Sequence, residues 1–213
     1  CYHKEFIKRM YDPYWHHDCK TVGEHIICDA IVTYRLITKL KKRNKKFNFI
    51  NLKAAVYIAM FHDLYEEPWQ NNLKFKEKKF KNQHAFIHPI EAAVNAITWF
   101  PKIFEDEHDA LIIIDGIIHH MFPLPVRAID GTNLELNNQN QYEKLPSEYK
   151  KIMVSSTLIG KIGAYSLRKS FYLEGRLMSK ADKIVAMRKD IHSLEGYLAL
   201  LTGKNKKLKD KEG

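Results

Sequence analysis

The sequence predicts an all-α protein that folds as a single-domain helical bundle. Apolar residues recur with helical spacing along nearly the whole chain, and no segment shows the strong alternation that is typical of a strand. The chain has 213 residues, which is enough to enclose one core of ordinary size. We expect the domain to cover residues 1–203 and a basic polar tail to cover residues 204–213.

Four helices are predicted in the first part of the chain. The first is indicated by an apolar stripe that comprises Val22, Ile26, Ala30, Ile37 and Leu40. The second, Asn51–Tyr65, is apolar on almost every side, which indicates burial. The third is expected to begin with His88 as its cap and Pro89 in its first turn, and to end before Pro101. The fourth, Asp106–Met121, is again apolar on most sides.

The rest of the chain is predicted to contain a loop and two further helices. Gly131–Gln141 is rich in polar and turn-forming residues and is expected to be a surface loop. A short helix is predicted over Leu145–Lys151 and a long helix over Ser166–Leu201. The inward face of the long helix is expected to carry Phe171, Leu177, Ala181, Val185, Leu194 and Leu198.

The composition is that of a folded protein with a basic surface. Hydrophobic residues make up 45% of the chain, which argues against disorder, and no apolar stretch is long enough to span a membrane. Three cysteines without a CxxC pair favour a reduced, cytoplasmic protein. The net charge of +10 favours anionic partners. The basic runs are rich in lysine and poor in arginine, so they support nucleic acid only weakly as a partner.

Ionisable residues stand at the ends of the two most apolar helices. His62 and Asp63 end the second helix, and His119 and His120 end the fourth. A buried carboxylate requires a cation or hydrogen bonds to compensate the loss of water. A pair of divalent metal ions would satisfy all of these groups together, because imidazole and carboxylate are both common metal ligands. Further candidate ligands on the other predicted helices are His25, His88 and Asp182.

The order H…HD…H…HH…D resembles the HD-domain metal-dependent phosphohydrolase superfamily. The resemblance extends from about Val22 to Met187, most of the chain. It is carried by His25 in VGEHIICDA, His62 and Asp63 in FHDLYEE, His88 in HPIEAA, His119 and His120 in IIHHMF, and Asp182 in KADKIVA. It implies the all-α bundle of the HD-domain type.

The resemblance also implies a dinuclear metal site. One ion would be held by His25, His62, Asp63 and Asp182. Asp63 would bridge to a second ion, which would be held by His88, His119 and His120. The metal identity stays open among Fe, Mn, Zn, Ni and Mg.

The implied activity is that of a phosphohydrolase or phosphodiesterase. Its substrate would be a phosphoester of a nucleotide or a similar small molecule. Two metal ions can activate a hydroxide and hold a phosphoryl oxygen, so that no protein nucleophile is needed. His62 and Asp63 would then be the catalytic residues, acting through the metal ions.

Two features depart from the family pattern. The HD-GYP branch has a DGxGYP-like run soon after its HH pair, whereas this chain reads HHMFPLPVRAIDGTN. The family often has a lysine four residues after the HD histidine, where this chain has Glu66. We expect Glu66 to bind an extra metal ion or to orient a ligand histidine.

Other residues are expected to support the site. Substrate phosphate contacts are predicted for Arg127, which follows the HH helix, and for Lys180 and Lys183, which flank Asp182. Asp29 lies one helical turn after His25 and is expected to orient it. Asp115 lies one turn before His119 and is expected to support it in the same way.

Two other functions remain open at this point. Some members of the same superfamily are mixed-valent di-iron oxygenases, which typically use one histidine where this chain has the HH pair. The pair therefore favours the hydrolase. The other alternative is a non-catalytic module that senses a nucleotide through a retained metal site.

Overall fold

The computed structural model describes residues 2–12, 21–65, 84–124, 126–127, 136, 138–154 and 165–187. Within these ranges the chain forms eight α-helices and confirms the all-α prediction. The helices are α1 (Tyr2–Met10), α2 (Val22–Arg43), α3 (Leu52–Phe61), α4 (His84–Trp99), α5 (Glu107–Ile118), α6 (Gln139–Glu143), α7 (Ser147–Val154) and α8 (Leu173–Met187). Short 3₁₀ turns cover Lys45–Phe47 and Pro101–Phe104, and the strands β1 (Val126–Arg127) and β2 (Tyr165–Ser166) pair in antiparallel fashion.

Three helices begin at capping residues that the sequence supplies. The side chains of Thr21, Asn51 and Asp106 each accept a hydrogen bond from the backbone N–H three residues later. These caps satisfy backbone donors that lack a partner within the helix. They fix the start of α2, α3 and α5, the elements that carry or precede most of the predicted metal ligands.

Helix α3 lies at the centre of the bundle. It packs against α2, α5 and α8, and its side chains Ala54, Ile58 and Phe61 are fully or almost fully buried. Phe61 stacks on Phe100 with ring centroids 5.2 Å apart. Because α3 ends at Phe61, the HD pair that follows emerges inside the bundle rather than at its surface.

Helices α5 and α8 approach each other closely at two glycines. A Cβ atom on Gly175 would lie 2.8 Å from the Cα atom of Gly116, which is closer than real Cβ contacts. Two side chains would therefore not fit at this crossing. The close approach places the later part of α8, with Asp182, beside the end of α5.

None of the described helices combines the length and apolar character that a bilayer crossing requires.

Two predicted helix starts are wrong. The third predicted helix does not begin at His88, because α4 already includes His84 and runs through Pro89. A proline removes one backbone donor, and burial of the following residues Ile90–Ile97 outweighs that loss. The long helix does not begin at Ser166, which lies in β2, and α8 starts only at Leu173.

The segment before α8 is held out of the helix by contacts of its own. The backbone N–H of Phe171 donates to Asp115 Oδ2 at 2.8 Å. The guanidinium carbon of Arg168 lies 3.9 Å from the centroid of the Phe171 ring, in a cation–π contact. Phe171, predicted to point inward, is 69% exposed. Ala181 and Val185 are buried as predicted, whereas Leu194, Leu198 and the tail lie outside the described residues.

The remaining boundaries differ by a few residues. Helices α3 and α5 end three to four residues before Tyr65 and Met121, so both ionisable pairs follow the helices. The short helix α7 is Ser147–Val154, shifted toward the C-terminus. Part of the predicted loop Gly131–Gln141 lies outside the described residues, and its last three residues belong to α6.

Candidate metal centre

Four buried side chains, named here the first group, converge from three helices. His25 and Asp29 belong to α2, His62 follows α3, and Asp182 belongs to α8; their ligand atoms all lie within 4.8 Å of one another. His25 Nε2 lies 3.0 Å from Asp29 Oδ2 and 3.3 Å from Asp182 Oδ1. His62 Nε2 lies 3.3 Å from both Asp29 Oδ2 and His25 Nε2. This set of donors could hold one metal ion.

A second group adjoins the first and shares His62 with it. It consists of His62, Asp63 and His120, whose ligand atoms also lie within 4.8 Å of one another. His88 of α4 lies against this group, with its Nε2 3.2 Å from His120 Nε2. The side chains of these four residues are all buried. A second ion could therefore be held beside the first.

Asp63 faces both groups with different oxygen atoms. Its Oδ2 lies 3.2 Å from His62 Nε2 and 3.5 Å from His25 Nε2. Its Oδ1 lies 3.4 Å from His88 Nε2 and 4.0 Å from His120 Nε2. A carboxylate in this position can bind two ions at once, one through each oxygen.

The imidazole rings are oriented by backbone carbonyls. Three rings bond through Nδ1 to a carbonyl three or four residues earlier: His62 to Ala59 (2.8 Å), His88 to His84 (2.9 Å) and His120 to Ile117 (2.7 Å). A carbonyl oxygen can only accept, so Nδ1 carries the proton and Nε2 of the neutral ring has a free lone pair. Metal-binding histidines are commonly held in this way.

These orientations leave lone pairs facing one another in a buried space. The Nε2 atoms of His88 and His120 are 3.2 Å apart, and His62 Nε2 is surrounded by carboxylate oxygens. Acceptors at such distances repel unless a proton or a metal cation lies between them. The residues present therefore fit divalent metal ions.

The carboxylates control the charge of the first group. Burial opposes protonation of His25, but Asp29, Asp182 and Asp63 outweigh burial and raise its pKa to about 10. Burial likewise opposes protonation of His62, but its carboxylate neighbours raise its pKa well above the ordinary value. The group thus carries an excess of negative charge that attracts cations, whether protons or metal ions.

His120, in the second group, has the opposite balance. Burial, together with the neighbouring His62 and His88, lowers the pKa of His120 to about 3. His120 is therefore neutral near pH 7. A neutral imidazole is the form that binds a metal ion.

His119 belongs to neither group among the described residues. Its Nδ1 donates to the carbonyl of Asp115 at 2.9 Å and lies 3.3 Å from Asp115 Oδ1. Asp115 is bound in turn by Arg168 at 2.8 Å and by the Ser170 hydroxyl at 2.5 Å. Burial opposes ionisation of Asp115, but its bonds to His119 and Ser170 and the charge of Arg168 lower its pKa to about 2. Asp115 thus contacts His119 and anchors the segment before α8.

Asp29 lies nearer to the site than its expected supporting role requires. It is fully buried, and its Oδ2 faces the Nε2 atoms of both His25 and His62. Asp29 is therefore a candidate ligand in its own right. The sequence signal was its place one turn after His25, although the contact with His62 depends on how α2 and α3 pack.

A pocket of about 370 Å³ opens beside the second group. Asp63, His88, His120 and Asp182 contribute to its lining, together with Lys183. The pocket gives a small molecule access to the candidate metal ligands. His84, which the sequence does not mark as a ligand, also lines it and stacks on His88 with centroids 4.9 Å apart.

The three residues predicted to contact a substrate phosphate differ in their positions relative to the pocket. Lys183 Nζ donates to Ser179 Oγ at 2.7 Å and to the His120 carbonyl at 3.3 Å, and burial lowers its pKa. Lys180 is exposed and is absent from the described pocket lining. Arg127 lies in β1, but its side chain is outside the described part of the chain, as is the whole of Glu66.

No family model, no curated protein and no solved structure matches the chain. The structure itself provides a helical bundle with buried histidine and aspartate groups that could hold metal ions.

Proposed function

We propose that the chain is an HD-type metal-dependent phosphohydrolase that acts on a phosphoester of a nucleotide or a similar small molecule. The observation that carries the proposal is the position of Asp63 between two sets of imidazole nitrogens. A carboxylate shared in this way could hold two ions close together, as two-metal phosphoryl chemistry requires.

The described residues divide into two sets of ligands. His25, Asp29, His62 and Asp182 would hold one ion, and His88 and His120 would hold the other. Asp63 would belong to both sets. Bound divalent ions would supply Lewis acidity, which polarises a phosphoryl oxygen and makes water a stronger nucleophile at neutral pH.

The protein contributes orientation, charge and exclusion of water. Hydrogen bonds from Nδ1 to backbone carbonyls fix the rings of His62, His88 and His120 before any ligand binds. Burial of these side chains strengthens their electrostatic interactions. Lys183 places a cation on the pocket wall, where it would attract an anionic phosphate group.

A second candidate function is oxidation at a di-iron centre. The position of His119 favours it, because His119 contacts Asp115 and only His120 of the HH pair faces Asp63 among the described residues. The presence of the HH pair then no longer distinguishes a hydrolase from an oxygenase. Lys183 in the pocket and the ligand order keep the hydrolase as our conclusion.

The test combines metal analysis with a phosphoester screen. Protein purified without chelator is analysed for metal content and assayed with phosphomonoesters and phosphodiesters in the presence of Mn²⁺. We expect about two metal equivalents and phosphate release or diester cleavage. Asp63→Ala should lose both, whereas Glu105→Ala, which alters an exposed carboxylate away from the site, should retain both.

Three results would overturn the proposal. Unchanged activity and metal content in Asp63→Ala would remove Asp63 from the site. Bound iron with oxygen uptake and no hydrolysis would favour the oxygenase. Two bound ions without any turnover would favour a sensing module.

A further inference from the structure

The lining of the pocket beside the candidate metal centre combines two kinds of residue. Some are the carboxylates and imidazoles of the centre. The apolar lining residues, named here together the apolar wall, are Ala85, Met121, Pro123, Leu124 and Ala186. At about 370 Å³ the pocket is near the small end of the range for ligand sites, which starts at about 300 Å³. A compact molecule fits such a space better than a polymer.

The apolar wall is built from segments that also carry the candidate ligands. The turn from Met121 to Leu124 directly follows His120 and is closed by a hydrogen bond from Leu124 N–H to the Met121 carbonyl at 2.9 Å. Ala186 lies one helical turn after Asp182 on α8. The wall is therefore fixed relative to the centre by short stretches of chain.

Leu124 is unusual for its position. It exposes 45% of its surface although it lies beside a buried polar centre. Exposed leucines are common, but one at the rim of a ligand pocket can bury its side chain against a bound molecule. Ala85 and Ala186 have small side chains, which leave the space that such a molecule would occupy.

Most polar side chains of the described lining belong to the candidate metal centre. Beyond the four candidate ligands, the described lining residues with polar side chains are Lys183 and His84. A sugar or polyol placed against the apolar wall would lose hydrogen bonds to water without replacement. An aromatic or aliphatic group would lose none and would gain from burial.

We infer that the substrate carries, besides its phosphate, a compact aromatic or aliphatic group, and that this group binds the apolar wall. The inference rests on the proposed function, because the phosphate is taken to lie at the metal centre. A nucleotide meets this description by placing its base, rather than its sugar, on the wall.

The inference is tested by binding of two phosphonates that cannot be hydrolysed. Phenylphosphonate and 2-hydroxyethylphosphonate have the same anionic group but differ in the organic group bonded to phosphorus, which is apolar in the first and polar in the second. Isothermal titration calorimetry on protein of known metal content should show at least about tenfold tighter binding of phenylphosphonate.

Matched variants connect the preference to the wall. Leu124→Ser should weaken phenylphosphonate binding about tenfold and leave 2-hydroxyethylphosphonate nearly unchanged. Met187→Ser is the control, since Met187 is also an exposed apolar residue, at 74%, but is absent from the described pocket lining. Ala186→Leu should fill the pocket and reduce phenylphosphonate binding as well.

The outcomes separate this inference from the proposed function. Equal affinities for the two phosphonates, no binding of either, or an unchanged preference in Leu124→Ser would overturn the inference. A phenyl preference that depends on Leu124 would support it. If such a protein hydrolysed none of the phosphomonoesters and phosphodiesters in the screen, the inference about the apolar wall would hold and the phosphohydrolase proposal would fail.

Discussion

His88 Nε2 lies 3.2 Å from His120 Nε2, while the Nδ1 atom of each ring is already bonded to a backbone carbonyl. The two residues are on different helical segments and are both buried. Neutral rings in this arrangement direct lone pairs toward each other, which is unfavourable without a cation. The contact is therefore a source of instability in the metal-free protein and of affinity in the metal-bound protein.

Removal of each metal ion is expected to lower the melting temperature by about 5–10 °C. An ion present at about a hundred times its Kd contributes about 2.7 kcal/mol, and each kcal/mol shifts a domain of this size by about 2–4 °C. Differential scanning calorimetry before and after chelation measures the change. His120→Leu should melt higher than the wild-type protein after chelation, because it removes one of the facing nitrogens. An unchanged melting temperature in protein that demonstrably lost its metal would contradict this.

The two histidines of the HH pair are expected to differ in their effect on metal content. His120→Gln should lose one metal equivalent, since His120 lies with His88 and Asp63. His119→Gln should keep both, because its described contacts are with Asp115. Elemental analysis of the two variants, side by side, measures this. Equal loss in both would place His119 among the ligands, as the family resemblance implies.

The sequence could identify the ligand types but not their final partners. His62 and Asp63 were recognisable because they follow an almost entirely apolar helix, and the order of the other motifs marked His88 and Asp182. The separation of His119 from His120 was not recognisable. It depends on α5 ending at Ile118, after which adjacent side chains diverge.

Asp29 is expected to act as a metal ligand rather than as a support for His25. Asp29→Asn keeps the shape of the side chain but removes its charge, so it should weaken metal affinity by more than the roughly 10- to 100-fold that loss of a supporting residue costs. Thr33→Val is the matched control, because Thr33 is equally buried one turn further along α2. Metal titration with a competing chelator measures both affinities. Similar affinities for Asp29→Asn and the wild-type protein would exclude Asp29 from the ligands.

Lys183 is expected to bind phosphate directly. Lys183→Met should weaken binding of inorganic phosphate by about tenfold or more, as expected for loss of a charged hydrogen bond. Ser179→Ala removes the hydroxyl that lies between Lys183 and the His120 carbonyl but keeps the charge. It should change phosphate binding less than about twofold. If both variants lost affinity and metal equally, Lys183 would act by holding His120 instead.

The sequence could predict a helix wherever a clear apolar face alone determines that the segment is helical. The apolar faces of α2, α3 and α5 indicated these helices directly, whereas the start of α8 depended on distant contacts. Asp115 binds Ser170 and the backbone of Phe171, so residues before Leu173 stay outside the helix. A helical pattern cannot reveal such competition, because the competing acceptor lies 55 residues earlier in the chain.

Gly175→Ala is expected to destabilise the bundle by about 1–3 kcal/mol, as is usual for overpacking. The new Cβ would meet the side chain of Ser170, with the Ser170 Cβ 2.7 Å away, and the backbone Cα of Gly116 at 2.8 Å, and the backbone atom cannot move aside without shifting α5. Gly116→Ala meets the side chain of Ile58 instead, so Ile58→Val should recover part of its loss. Urea unfolding of the single and double variants measures these changes. Gly175→Ala with wild-type stability would show that α5 and α8 lie further apart at this crossing than the structure places them.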